Sequence, residues 1–336
     1  MDNKPLTKLK SVAVVIPMYN EEIGIIENLT QITQMLRSYE KTLKVSFAFI
    51  CVDDGSRDLT PSLVRDFCRH TYGCELISLT RNFGKEGAIE AGLVQANAAD
   101  AIVVMDCDLQ HPPELVESMV KLWQSGIDVV EAVKIDRGVE TRSYKRMASL
   151  FYQLFGKLSG IDLKDRCDFK LLDAKVVRAY LNLNEKNRFF RGLIQWMGYP
   201  TAQIPFVVPE RKGGGTRWSV FRLFRLSVTA LTAFSSAPLQ IVTVLGVVTF
   251  IVSVVLGIYS LVLKLLGDAL DGFTTVIILL LFIGSVLMFS IGLLGVYMAQ
   301  IFNELKRRPN YLVNERTSYT IPSGQAESQM DRHSVS

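Results

Sequence analysis

Two carboxylates one residue apart, Asp106 and Asp108, follow the apolar run 101–105, so a buried strand ends and an acidic loop begins there. A hard divalent cation such as Mg²⁺ or Mn²⁺ takes one or two carboxylates and fills the rest of its shell with water and substrate phosphate oxygens. That pairing therefore suits a metal carrying a diphosphate, and Gln110 adds a neutral oxygen without further negative charge. An exposed turn rich in Asp is the plain alternative for such a pair. A second acidic strand end, Asp53-Asp54, favours the metal reading.

The elements that must position these groups alternate along the chain. Strand-like runs at 12–17, 45–52, 75–79, 101–105 and 129–134 are separated by helical patterns at 22–39, 61–70, 85–97 and 113–125. Such alternation predicts βαβ units, a mainly parallel sheet and helices on both faces. Ligands of these sheets bind outside the carboxyl ends of the strands, where Asn20, Asp53, Asp54, Asp106 and Asp108 all fall. Neither GxGxxG nor GxxxxGK[ST] occurs, so phosphate recognition falls to metal and basic side chains.

The 336-residue chain is hydrophobic unevenly. No charged residue occurs from 237 to 263 or from 272 to 303, and each stretch exceeds the roughly 20 apolar residues that span a bilayer core. Two transmembrane helices are predicted, 239–263 and 273–302. Arg211, Lys212, Arg217, Arg222 and Arg225 precede the first and Lys306, Arg307 and Arg308 follow the second, which places both chain ends and the large N-terminal region in the cytoplasm. The helical wheel of 216–234 sets Arg222, Arg225 and Thr229 against Val220, Leu223, Phe224 and Leu231, the pattern of a helix lying in the membrane interface.

A net charge of +4 argues against a nucleic-acid partner. The five cysteines show no zinc-site spacing and read as reduced packing residues. The domain boundaries expected are 1–210 for the α/β domain, 211–236 for a mobile loop and interfacial helix, 237–303 for a transmembrane hairpin and 304–336 for a cytoplasmic tail, disordered after about 316.

Four segments in order carry a family resemblance: Val14-Val15-Ile16-Pro17-Met18-Tyr19-Asn20-Glu21-Glu22, Val52-Asp53-Asp54-Gly55-Ser56-Arg57-Asp58, Arg81-Asn82-Phe83-Gly84-Lys85 and Met105 through Glu114. Together with two C-terminal spans they resemble family 2 glycosyltransferases of the GT-A fold, and most of all the polyisoprenyl-phosphate enzymes, bactoprenol glucosyltransferases and dolichyl-phosphate mannose synthases. The likeness covers about residues 10–310. It implies Pro17, Tyr19, Glu21, Asp53, Asp54, Lys85 and Asp106 around the nucleotide sugar, and Asp106, Asp108 and Gln110 around Mg²⁺ or Mn²⁺. It also implies Arg211 as a phosphate-contacting arginine on a mobile loop, and Asp168 as the catalytic base; because a phosphate monoester, with its second pKa near about 6, is already largely ionised at neutral pH, a positioning role for Asp168 stands beside it. Arg191, Arg188, Lys212 and Arg217 are candidates for the acceptor phosphate, and His111 reads as a residue at the start of a helix.

The activity so implied is inverting transfer of a hexose, glucose from UDP-glucose first and mannose from GDP-mannose second, to polyprenyl phosphate at the bacterial inner membrane. Oligomeric state stays open. A processive polysaccharide synthase would need more spans and a QxxRW helix, and Gln195-Trp196 lacks that spacing. A silent nucleotide-sugar-binding scaffold would not need Asp106, Asp108, Gln110, Asp168 and Arg211 together.

Overall fold

The computed structural model describes residues 9–136, 166–186, 188–207, 237–266 and 272–318. In chain order the elements are β1 (Lys10–Met18), α1 (Ile25–Leu43), β2 (Val45–Asp53), α2 (Thr60–His70), β3 (Cys74–Leu79), α3 (Lys85–Gln95), β4 (Ala101–Val104) and α4 (Leu115–Gln124). They continue as β5 (Val129–Asp136), β6 (Arg166–Asp173), α5 (Ala174–Leu181), α6 (Phe190–Trp196), β7 (Thr201–Val207), α7 (Ala237–Leu265), α8 (Phe273–Leu305) and β8 (Val313–Ser318). The chain forms two compact units, one holding the described residues up to 207 together with 309–318, the other holding the described residues from 237 to 308.

The first unit is an eight-stranded mixed sheet in the order β7-β5-β6-β4-β1-β2-β3-β8. β1 pairs in parallel with β2 and β4, β2 with β3, and β5 with β7, while β6 runs antiparallel to β4 and β5, and β8 antiparallel to β3. At the centre of the sheet β4 and the run 12–18 of β1 are apolar because both faces are covered. Val12, Val14 and Ile16 of β1 join Leu29, Ile32, Val64 and Val116 in one core under α1, α2 and α4. Their neighbour Val15 points the other way, under α3. A Cβ on Gly92 of α3 would come within 2.2 Å of Val15 Cγ1, so only hydrogen there lets the helix lie this close to the sheet.

Three strands lie outside the expected elements. β6 and β7 carry polar residues within their runs, and β6 holds a buried ion cluster in which Lys170 Nζ donates to Glu131 Oε1 at 2.5 Å and Arg166 pairs with the same carboxylate. β8 corrects the expectation of a cytoplasmic tail from 304: residues 313–318 are the edge strand beside β3, running past the point where disorder was expected to begin. The physical reason is that β3 would otherwise expose an unpaired edge, and Arg65 of α2 anchors the strand through Glu315.

In the second unit α7 and α8 are long and apolar enough to cross a membrane, with windows at Val242–Tyr259 and Phe282–Leu305 of which none is buried in protein. A core helix of a soluble domain would be covered; here Phe250, Tyr259, Phe289 and Met298 stand exposed. The expected interfacial helix at 216–234 lies outside the described residues.

Candidate active site

The loops at the carboxyl ends of β1, β2, β3 and β4 build the site together with the amino-terminal end of the antiparallel strand β6. Asn20, just beyond β1, adopts a left-handed φ of 53°, a conformation Asn tolerates better than most residues. From there its N–H donates to Ser56 Oγ at 2.9 Å and its Oδ1 accepts from Arg57 N–H at 2.9 Å. Glu22 accepts from Leu59 N–H, and Glu21 N–H donates to Thr60 Oγ1. The acidic loop of β1 is thus knitted to the loop of β2 by backbone donors, with Pro17 buried in the strand and Tyr19 exposed beside it.

Asp53 and Asp54 have separate tasks. Asp53, 2% exposed, accepts from Ser56 N–H at 3.1 Å, and burial pushes its carboxyl above the usual range. It lines a cavity of about 360 Å³ with Ser78, Arg81, Asn82, Asn314 and Glu315 among its walls. Asp54 spends both oxygens on the backbone N–H groups of Phe83 (2.7 Å) and Gly84 (2.9 Å), so it fixes the 81–85 loop that leads into α3.

That loop delivers Lys85, whose Nζ lies 2.6 Å from Asp106 Oδ1 and 2.8 Å from Asp168 Oδ2. The register of β4 against β6 explains the meeting: Val104 is opposite Lys170, and two positions further along bring Asp106 and Asp168 side by side. Asp168 is 3% exposed and also takes two bonds from Arg191, Nε to Oδ1 at 2.6 Å and Nη2 to Oδ2 at 2.9 Å. Burial alone would push its carboxyl up; Arg191 and Lys85 overcome that and hold it well below the usual carboxylate range. Lys85 and Arg191 are in turn held protonated against the effect of burial.

The Asp106–Gln110 loop turns at Leu109, a non-glycine residue with φ 56°, and the turn lets Gln110 N–H donate to Asp108 Oδ1 at 3.1 Å. Backbone held in this region costs about 1–3 kcal/mol and persists where its surroundings enforce it. His111 supplies that enforcement. It is 3% exposed, stacks on Phe169 at 5.0 Å and accepts the Asp106 N–H on Nδ1 at 3.1 Å. Burial lowers its pKa, so it is neutral at pH 7, with the proton on Nε2. The reading of His111 as a helix-start residue missed this brace, because nothing in a sequence announces which ring it will meet.

The carboxylates of Asp106 and Asp108 and the amide oxygen of Gln110 form a hard, anionic donor set of the kind Mg²⁺ or Mn²⁺ accepts. Arg188 is drawn elsewhere, donating to the carbonyls of Leu183 and Glu185 and pairing with Glu90. Arg211, Lys212 and Arg217 lie outside the described residues. Glu86, not singled out in the sequence, accepts Phe190 N–H at 2.9 Å beside Asp168, and burial, then the Asp168 charge, push its carboxyl up to about 8. The soft donors Cys51, Cys68 and Cys74 cluster apart from these oxygens in the buried core.

Comparison with known proteins decides the family. Residues 13–179 match the model of Glycosyl transferase family 2. A Synechocystis protein named only as an uncharacterized glycosyltransferase is 35% identical over 90% of this chain and 94% of its own length. The Escherichia coli prophage bactoprenol glucosyl transferase homolog is 32% identical over 90% and 98%, and the bactoprenol glucosyl transferase of Shigella phage SfV is 32% identical over 91% and 99%. The chain belongs to glycosyl transferase family 2. This family 2 protein is a glycosyltransferase of the GT-A fold.

Proposed function

We propose that this glycosyltransferase moves a hexose, glucose from UDP-glucose, onto the phosphate of a membrane polyprenol at the cytoplasmic leaflet of the bacterial inner membrane, with both chain ends in the cytoplasm. The observation that carries the reading is the junction of Asp106 and Asp168 through Lys85 beside Asp108 and Gln110, in a chain 31–35% identical to relatives that include named bactoprenol glucosyl transferases. The two long apolar helices support a lipid-borne acceptor.

In this reading Asp106, Asp108 and Gln110 hold a divalent cation, which when bound neutralises charge on the donor diphosphate. Asp53 receives N–H or hydroxyl donors of the nucleoside. The acceptor phosphate monoester has a second pKa near about 6, so its oxygen is already ionised at neutral pH. That oxygen attacks the anomeric carbon, the bond to the diphosphate oxygen breaks with its electron pair on the leaving group, and configuration inverts. No proton has to be removed from the nucleophile. Asp168, with both oxygens occupied by cations and its basicity suppressed, aligns Lys85 and Arg191 rather than accepting a proton. Those two cations favour the negative charge gathered by donor and acceptor phosphates, and Arg211 and Lys212 add to them from the basic segment before the spans.

The test is a transfer assay on membranes containing the protein, offering labelled UDP-glucose, UDP-N-acetylglucosamine, UDP-galactose or GDP-mannose with undecaprenyl phosphate. Label enters the lipid extract from UDP-glucose, and both chelation and Asp108→Ala abolish it. Transfer that ignores chelators, or no labelled lipid from any donor, sinks the proposal; label from GDP-mannose alone would reassign the sugar.

A further inference from the structure

The cavity beside Asp53 is completed by a strand from the far end of the chain. In the β2–β3 ladder Asp53 lies opposite Ser78, and in the β3–β8 ladder Ser78 lies opposite Glu315. Directly opposed residues share a face of the sheet, so Asp53, Ser78 and Glu315 form a row across three strands, and all three line the cavity. The next pair is Leu79 with Val313, which leaves Asn314 as the extra residue of a bulge. A bulge next to a ligand site re-aims a side chain, and Asn314 also lines the cavity.

A second observation points to a ligand. Ser78, one of the residues lining this cavity, is 5% exposed, and among the described residues its Oγ has no hydrogen-bond partner. Buried hydroxyls are almost always satisfied. Glu315 is held by Arg65 through two bonds, 3.2 Å from Nε and 2.6 Å from Nη2, which fixes β8 against α2.

We propose that β8 completes the nucleoside pocket of the donor, with Ser78 and Asn314 as specificity-determining residues and the Arg65–Glu315 pair as positioning residues that hold the strand. The proposal rests on the nucleotide-sugar reading of the site. The chemistry selects uracil: its edge presents acceptor, donor, acceptor, which the Asp53 carboxylate meets at the centre while the Ser78 hydroxyl and the Asn314 amide donate on either side. Guanine presents two adjacent donors on its edge and would leave one of those donating groups unanswered. A nucleotide-binding sheet thereby depends on residues that follow the second apolar helix.

The experiment measures UDP and GDP binding to the purified full-length protein by calorimetry, alongside donor and acceptor kinetics. Wild type binds UDP more tightly than GDP. Ser78→Ala and Asn314→Ala each weaken UDP by roughly three- to tenfold, the loss of one hydrogen bond, and narrow the UDP/GDP ratio. They raise KM for the donor and leave kcat and the acceptor KM near wild type. Arg65→Ala weakens UDP binding and Arg65→Lys restores part of it. If both Ser78→Ala and Asn314→Ala bind UDP as wild type does, β8 is no part of the pocket, while the donor reading stands. Equal losses of UDP and GDP with a lowered unfolding temperature would make the strand merely structural and overturn the specificity claim. A wild-type protein that binds neither nucleotide would overturn both.

Discussion

Asp168 and Glu86 sit side by side and are driven in opposite directions. Asp168 is buried between a guanidinium and an ammonium, and removing one partner of such a group costs about 3–5 kcal/mol. Its depressed pKa means that its contribution to stability is present above the ordinary carboxylate range and is lost only in strong acid. Asp168→Asn is therefore expected to lower kcat by on the order of 10–100-fold, as Lys85 and Arg191 drift from their places, while the pH profile of kcat between pH 6 and 9 keeps its shape. A loss of many orders of magnitude together with loss of the acidic limb of the profile would make Asp168 the base after all. Glu86 has the opposite sign. Its raised pKa of about 8 means that its contribution is complete below the ordinary carboxylate value and is lost as pH climbs through about 8. Glu86→Gln keeps an acceptor for the Phe190 N–H but cannot ionise, so the fall in unfolding temperature from pH 5 to pH 9 should be smaller in the variant than in wild type. Equal falls would remove Glu86 as the titrating group.

At the scale of elements, what the sequence made legible and what it hid divide along physical lines. β1 to β5 and the helices between them follow from apolar runs and their period, since a strand buried on both faces has little freedom of composition. The observed β1, β2, β3 and β4 fall on the runs expected for them, and α7 and α8 extend the two expected spans by a few residues. The places of Asp53 and Asp106 at strand ends were legible for the same reason, because each closes such a run. β6 was hidden because Asp168 and Lys170 interrupt it, and its polar groups are tolerated only through partners that lie far away in sequence, Arg191, Lys85 and Glu131. β8 was hidden because Val313-Asn314-Glu315-Arg316-Thr317-Ser318 has the composition of a tail. It becomes a strand because the β3 edge supplies the pairing, a long-range cause without local signal. Asp54 shows the limit within a legible motif, since adjacency to Asp53 gives no hint that its oxygens would turn to the Phe83–Gly84 backbone.

The whole molecule places 72 residues of apolar hairpin and its flanks, 237–308, inside the sequence of the catalytic unit, whose last strand follows them. The chain that leaves the sheet after β7 must therefore return to it before the sheet is finished. Two truncations separate attachment from folding. A chain ending at 236 lacks both the apolar helices and β8; a second chain in which 237–308 is replaced by a flexible glycine-serine linker lacks the helices alone. Both should leave the membrane pellet on alkaline extraction, because α7 and α8 carry the apolar surface long enough to span a bilayer. Only the first should lose the Arg65–Glu315 and Asn310–Glu90 contacts along with the β3–β8 ladder. Each kcal/mol moves the unfolding temperature of a unit this size by roughly 2–4 °C, and an unpaired edge strand costs more than one. The truncated chain is thus expected to unfold at least about 4 °C below the linker chain by scanning fluorimetry, and to aggregate sooner through its exposed β3 edge. Matching unfolding temperatures would mean that β8 adds nothing to the sheet, and that the strand's return after the two apolar helices has no bearing on how the catalytic unit holds together.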